Sequence, residues 1–220
     1  MTLTYQEKLL SKTIQFVKEQ LEEAESGHDW WHIHRVHTTA VSMAQHINAN
    51  KLVVELGALL HDIADSKFHD GNEELGPAIV RSFLLREHLD EETINEVVFI
   101  IENMAFKRSF HFDGAKSIEF KIVQDADRLD AIGAIGIARA FSYGGYKGRP
   151  FFDPEVLPET HNDGEHYKAS KAPTINHFYE KLLLLKDQMN TEEGKKRALV
   201  RHEYMLGFLK QFDDEWKGIL

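Results

Sequence analysis

Three short stretches hold most of the side chains able to do chemistry. In ALLHDIAD, residues 58–65, an apolar helical pattern runs into the adjacent pair His61 and Asp62. An imidazole beside a carboxylate is a donor set for a borderline divalent metal such as Mn, Fe, Co, Ni or Zn. Neighbours on a helix project about 100° apart, yet both side chains can close on one ion lying beside the helix. Asp65 comes four residues after His61 and so shares its helical face, where it could activate a water bound to that metal. Taken alone, a His-Asp pair is a weak signal and reads better as a surface pair at a helix end.

The second stretch, HDWWHIHRV with the histidine after it, crowds His28, His32, His34 and His37 into ten positions. His28 and His32 stand i, i+4 and could share an ion. His34 lies about 200° around the helix from His32, so the two cannot face one metal. The third stretch, QDADRLD, sets Asp125, Asp127 and Asp130 among apolar neighbours. Buried carboxylates are costly unless paired or metal-bound, and Arg128 offers a pairing explanation. The residues by themselves leave open which histidine and which aspartate would join the doublet.

Helices must position these groups. The periodicity predicts helices over about 5–25, 31–47 and 52–65, the last with Leu52, Leu56, Leu59, Leu60 and Ile63 as its apolar face. In the first, Leu9, Ile14, Phe16, Val17 and Leu21 are the expected buried side. LDEETINEVVFIIENM opens with acids suited to a helix N-terminus. Residues 117–142 read as helical with a break near Gly133 and Gly136. Two closing helices are expected over 174–189 and 194–216, with Thr191 as N-cap of the last. SIEFKIVQ is a weak strand candidate. Residues 143–173 read as one long loop, either a lid or a surface excursion. The fold class expected is all-α.

The chain has 220 residues, 42% of them hydrophobic and 28% charged, with a formal net charge of -10. A negative balance argues against general nucleic-acid binding and against an anionic membrane surface. It still permits a phosphorylated substrate, since a metal and a few local cations can reverse the field inside a cleft. The absence of cysteine rules out disulfides and thiolate metal sites. The first residues lack the apolar run of a signal peptide, and no stretch approaches a membrane span. A cytoplasmic protein is expected.

Together the three stretches resemble the HD-domain phosphohydrolase superfamily, whose signature is a His, a later His-Asp doublet and a distant Asp. Those positions match His32 in HIHRV, His61 and Asp62 in LLHDIAD, and Asp127 in QDADRLD. The ligand histidine precedes a Val by four residues, here Val36, and the last aspartate sits in an Ala-Asp pair ahead of a basic residue and Leu. HFYEKLL and the EW-x-G near the end are similar to a bacterial subfamily of predicted HD phosphohydrolases. The resemblance implies a single HD domain over 1–220, with a core of about 26–142 and a helical extension of about 174–216. It implies one divalent metal (Mn, Co, Ni, Fe, Zn or Mg) held by His32, His61, Asp62 and Asp127, with Asp65 acting on the attacking water. It implies hydrolysis of a small phosphorylated substrate, a nucleotide above all, with cleavage of a nucleoside triphosphate to monophosphate and pyrophosphate as one form. Lys67, Arg128 and Arg139 suit phosphate by charge and guanidinium geometry, and His177 could face the site.

Two-metal HD proteins add histidines between the doublet and the last aspartate. Here Asn103 and Met104 stand where one is expected, and His88 and His111 read as surface residues. The same resemblance allows two rival readings. One is an HD-type di-iron oxygenase, which needs two further ligands. The other is a non-catalytic nucleotide-binding regulatory module.

Overall fold

The computed structural model describes residues 3–22, 29–63, 74–104, 114–159 and 172–220. All the regular structure among them is helical, and none of it is strand, so the all-α expectation holds. The chain divides into two compact units, Met1–Asp127 and Arg128–Leu220. No helix among the described residues is long and apolar enough to cross a membrane.

In the first unit run α1 (Tyr5–Gln20), α2 (Trp30–Ala44), α3 (Lys51–Leu60), α4 (Leu75–Arg86), α5 (Glu91–Met104) and most of α6 (Ile118–Asp130). Helix α3 is central and packs against α1, α2 and α5. It is apolar nearly all round, with Val53, Val54, Leu56, Gly57, Ala58, Leu59 and Leu60 all buried. Each fully buried leucine contributes roughly 1.5–3 kcal/mol of transfer free energy. Gly57 lets neighbours approach closely. A Cβ there would stand 3.2 Å from Ile100 Cδ1 and 3.3 Å from Val123 Cγ2. Asn50 starts α3 by accepting from the N–H groups of Leu52 and Val53, as an N-cap should.

Several expectations need adjusting. Helix α1 buries Leu9, Thr13 and Val17, a narrow i, i+4 line, while Ile14 and Phe16 are only half-buried. Helix α3 ends at Leu60 rather than 65. His61 is its C-cap, and its side chain takes a carbonyl of the last turn, which a continuing helix would bond through its backbone. SIEFKIVQ is helical, because Phe120, Ile122, Val123, Ala126 and Leu129 form one buried helical stripe. Asp90 supports the start of α5 by accepting from the Thr93 N–H at 2.9 Å.

The second unit holds α7 (Gly133–Tyr146), α8 (Thr174–Glu180), a 3₁₀ turn (Leu182–Gln188) and α9 (Glu192–Trp216). The break between α6 and α7 falls where glycine predicted it, with Gly133 at φ +78. The expected 143–173 loop begins later, since Tyr143–Tyr146 still belong to α7. The predicted 174–189 helix is two pieces, because Lys181 adopts φ -143 and ψ -56 and the chain beyond it tightens to 3₁₀. Thr191 caps α9 by accepting from the Gly194 N–H at 2.9 Å. Helix α9 packs on α7 and the 3₁₀ turn, and α8 packs on the same two. The ring of Phe141 meets those of Phe151, Phe178 and Phe208 in this unit, with Phe178 fully buried and Phe151 at the surface.

Candidate metal centre

Helix α2 presents His32 on its buried stripe with Ile33, Val36 and Ala40. Asp29 fixes the helix start, its carboxylate accepting from the His32 N–H at 3.0 Å. The His32 side chain is 4% exposed, so its ring is held by packing. His61 comes directly after the buried end of α3, with its Nδ1 3.0 Å from the Ala58 carbonyl. A carbonyl only accepts, so Nδ1 carries a proton, and in the neutral ring Nε2 keeps a lone pair. That Nε2 is buried and has no hydrogen-bond partner. The two rings meet edge to face, with centroids 5.4 Å apart.

Helix α6 brings the third group. Asp127 Oδ1 lies 3.5 Å from His32 Nε2 and 3.8 Å from His61 Nε2. Asp62 Oδ2 stands 4.0 Å from His32 Nε2. His32, His61 and Asp127 each offer a ligand atom, and the three atoms lie within 4.8 Å of one another. Two ligands about 2.1 Å from one metal stand about 3–3.5 Å apart at ordinary coordination angles, so a small contraction would close this set on an ion.

The chemistry of the donors supports that fit. The lone pair of His61 Nε2 and the Asp127 carboxylate face each other across 3.8 Å. Two electron-rich atoms at this distance repel unless a proton or a metal cation lies between them. Two imidazoles with one or two carboxylates suit a borderline divalent metal. Among the described residues this is the one such group.

The other histidines have different surroundings. His34 is exposed and its ring meets those of Trp30 and Trp31. His37 Nε2 is 3.3 Å from Glu55 Oε2. His88 is exposed at the end of α4, at φ 60. Asn103 donates to the Phe99 carbonyl at 2.8 Å. His28, Asp65, Lys67, His69 and His111 lie outside the described residues. Asp125 is fully buried, and Asp130, 4% exposed, is paired with Arg139. Arg128 donates to the Gln188 carbonyl. His177, in the second unit, is pushed down to about 3, first by burial and then by the positive charges of Lys181 and Arg149.

One contributor escaped the sequence reading: the Ala58 carbonyl that sets the tautomer of His61. Its signal was available, since a histidine at a helix C-cap stands three residues after a free carbonyl.

An all-helical unit that converges a helix-borne histidine, a His-Asp doublet and a distant aspartate has the make-up of an HD-type metal protein. The comparisons agree. The HD domain model matches residues 30–132. Protein YpgQ of Bacillus subtilis (strain 168) is 38% identical over 205 residues, covering 93% of this chain and 92% of its own. The crystal structure of an HD-superfamily hydrolase from Bacillus thuringiensis shares 48% identity at a TM-score of 0.79, covering 97% of this chain and 99% of that one. Bacillus subtilis YpgQ in complex with ADP gives 35% identity and a TM-score of 0.77, with 96% and 97% covered. The chain belongs to the HD-domain superfamily, among its YpgQ-like members.

Proposed function

We propose that this protein is a metal-dependent phosphohydrolase acting on a phosphate ester or anhydride, with a nucleotide as substrate. The observation that carries the reading is the partnerless buried Nε2 of His61, aimed at Asp127 beside His32. The Bacillus thuringiensis relative is named a hydrolase, and ADP bound to YpgQ supports a nucleotide. Cleavage of a nucleoside triphosphate to monophosphate and pyrophosphate is the first reaction to test.

His32 and His61 through Nε2, with the carboxylates of Asp62 and Asp127, would hold one divalent ion. Such an ion supplies Lewis acidity, lowering the pKa of a water and polarising a phosphoryl oxygen. Asp65 orients the attacking water and takes its proton. His61 is kept in register by its Nδ1–H on Ala58. Lys67, Arg128 and Arg139 are the proposed phosphate partners, on charge and guanidinium geometry alone. His177 is neutral at pH 7.

The test is a panel of nucleoside mono-, di- and triphosphates, cyclic nucleotides and simple phosphate esters. It is run on metal-stripped protein with Mn, Co, Ni, Fe, Zn or Mg restored. Metal-dependent release of phosphate or pyrophosphate is expected. Nucleotide binding without turnover under every metal would favour the regulatory-module reading instead.

A further inference from the structure

Three arginines engage the last turn of α6. Arg128 donates to the Gln188 carbonyl. Arg139, from α7, holds the carboxylate of buried Asp130. Arg201, from α9, donates to the carbonyl of Leu129. That carbonyl also accepts the Ile132 N–H at 3.2 Å, so it is held from two sides. The approach of Arg201 has a local cause. Gly133 sits at φ +78, and a Cβ there would stand 3.0 Å from both Cβ and Cγ of Arg201. Glycine thus permits the turn and makes room for the arginine stem. Burial lowers the Arg201 pKa from its ordinary value, with Asp130 opposing and Arg197 adding to the fall.

Asp127 stands two residues before Leu129 and three before Asp130, on the same helix. Its direction is set by the backbone of the turn it shares with them. The side chains of His32 and His61 are 4% and 5% exposed and are fixed by packing, whereas that of Asp127 is 38% exposed. The most exposed of these three ligand groups therefore depends most on its backbone. We infer that Arg201 is a positioning residue for the metal centre. By holding the Leu129 carbonyl while Arg139 holds Asp130, it sets the direction in which Asp127 presents its carboxylate. This inference rests on the metal-site reading above.

The experiment titrates Mn²⁺ into metal-free protein by calorimetry and records the melting temperature of each metal-free form. Arg201→Gln is expected to bind Mn²⁺ about 10- to 100-fold more weakly, the usual cost of losing a group that orients a ligand. Arg197→Gln loses the 2.7 Å bond to Glu193 on its own helix and leaves the Arg201 bond to the Leu129 carbonyl in place, and is expected to keep wild-type affinity. If Arg201→Gln fails to fold, Arg201→Met keeps the stem along Gly133 and carries the same expectation. Wild-type affinity in a folded Arg201 variant overturns the inference. So does equal weakening in Arg197→Gln at an equal loss of melting temperature, which would make the effect one of general stability. Absence of Mn²⁺ binding in the wild type would overturn the metal reading itself, and the inference with it.

Discussion

The Nε2 of His61 and the Oδ1 of Asp127 face each other across 3.8 Å, and Nε2 has no hydrogen-bond partner. The proton of His61 is on Nδ1, engaged by Ala58. A structural His-Asp pair would turn an N–H toward the carboxylate. With Nδ1 engaged by Ala58, the neutral ring turns its lone pair toward that carboxylate, the arrangement a ligand needs before its metal arrives.

His61→Ala and Asp62→Ala should therefore each lose both metal and activity, since removing one donor of a chelate weakens binding and catalysis together. His34→Ala should keep its metal, because His34 is exposed and its ring neighbours are Trp30 and Trp31. Elemental analysis of the three purified variants checks this. Wild-type metal content in His61→Ala would place the site elsewhere.

One divalent metal per chain is the expected stoichiometry. Among the described residues one group can hold an ion, and Asn103 gives its amide to the Phe99 carbonyl. Metal counting on protein purified without added metal decides the matter. Two equivalents of iron would revive the di-iron oxygenase.

The spacing of His32, the His61-Asp62 doublet and Asp127 was readable because each sits on or beside a helix whose apolar stripe is strong. His32 stands four before the buried Val36, and Asp127 comes directly after the buried Ala126. The helix ends were harder to read. That α3 stops at Leu60 depends on a side chain reaching the Ala58 carbonyl, which periodicity does not encode. The role of Arg201 was not legible at all. Its partner, the Leu129 carbonyl, is 72 residues away and is a backbone atom, so no pattern of side-chain types marks it. Asp130 could be read as a possible ion-pair member, but the neighbouring Arg128 drew the pairing that Arg139 makes.

His177 should make the protein acid-sensitive. Its pKa in the fold is about 3, below the 6.5 of a free imidazole, so the unfolded chain binds the additional proton. Its contribution leaves stability unaffected above about pH 6.5 and erodes it as pH falls toward 3. The slope is at most about 1.4 kcal/mol per pH unit. His177→Gln should unfold with a flatter dependence over that window, measured by urea denaturation between pH 4 and 8. Identical slopes in the two proteins would show that this imidazole titrates alike folded and unfolded.

Asp65→Asn should keep the metal while hydrolysis falls by roughly 10²-fold or more, the scale for losing a general base. The four proposed ligands already include two carboxylates, so Asp65 is not needed to hold the ion. It stands three residues after Asp62 in the chain and five beyond the last residue of α3. A carboxylate in that place can accept a proton from the attacking water. Asparagine keeps the size and can still accept a hydrogen bond, but it cannot take that proton. The substitution thus separates proton transfer from metal binding. If Asp65 merely paired with Lys67 or held the chain after α3, turnover would track stability and nothing else. Metal content, melting temperature and turnover are therefore measured on one preparation. Full turnover at normal metal content would remove Asp65 from the role of base, and loss of metal would make it a ligand.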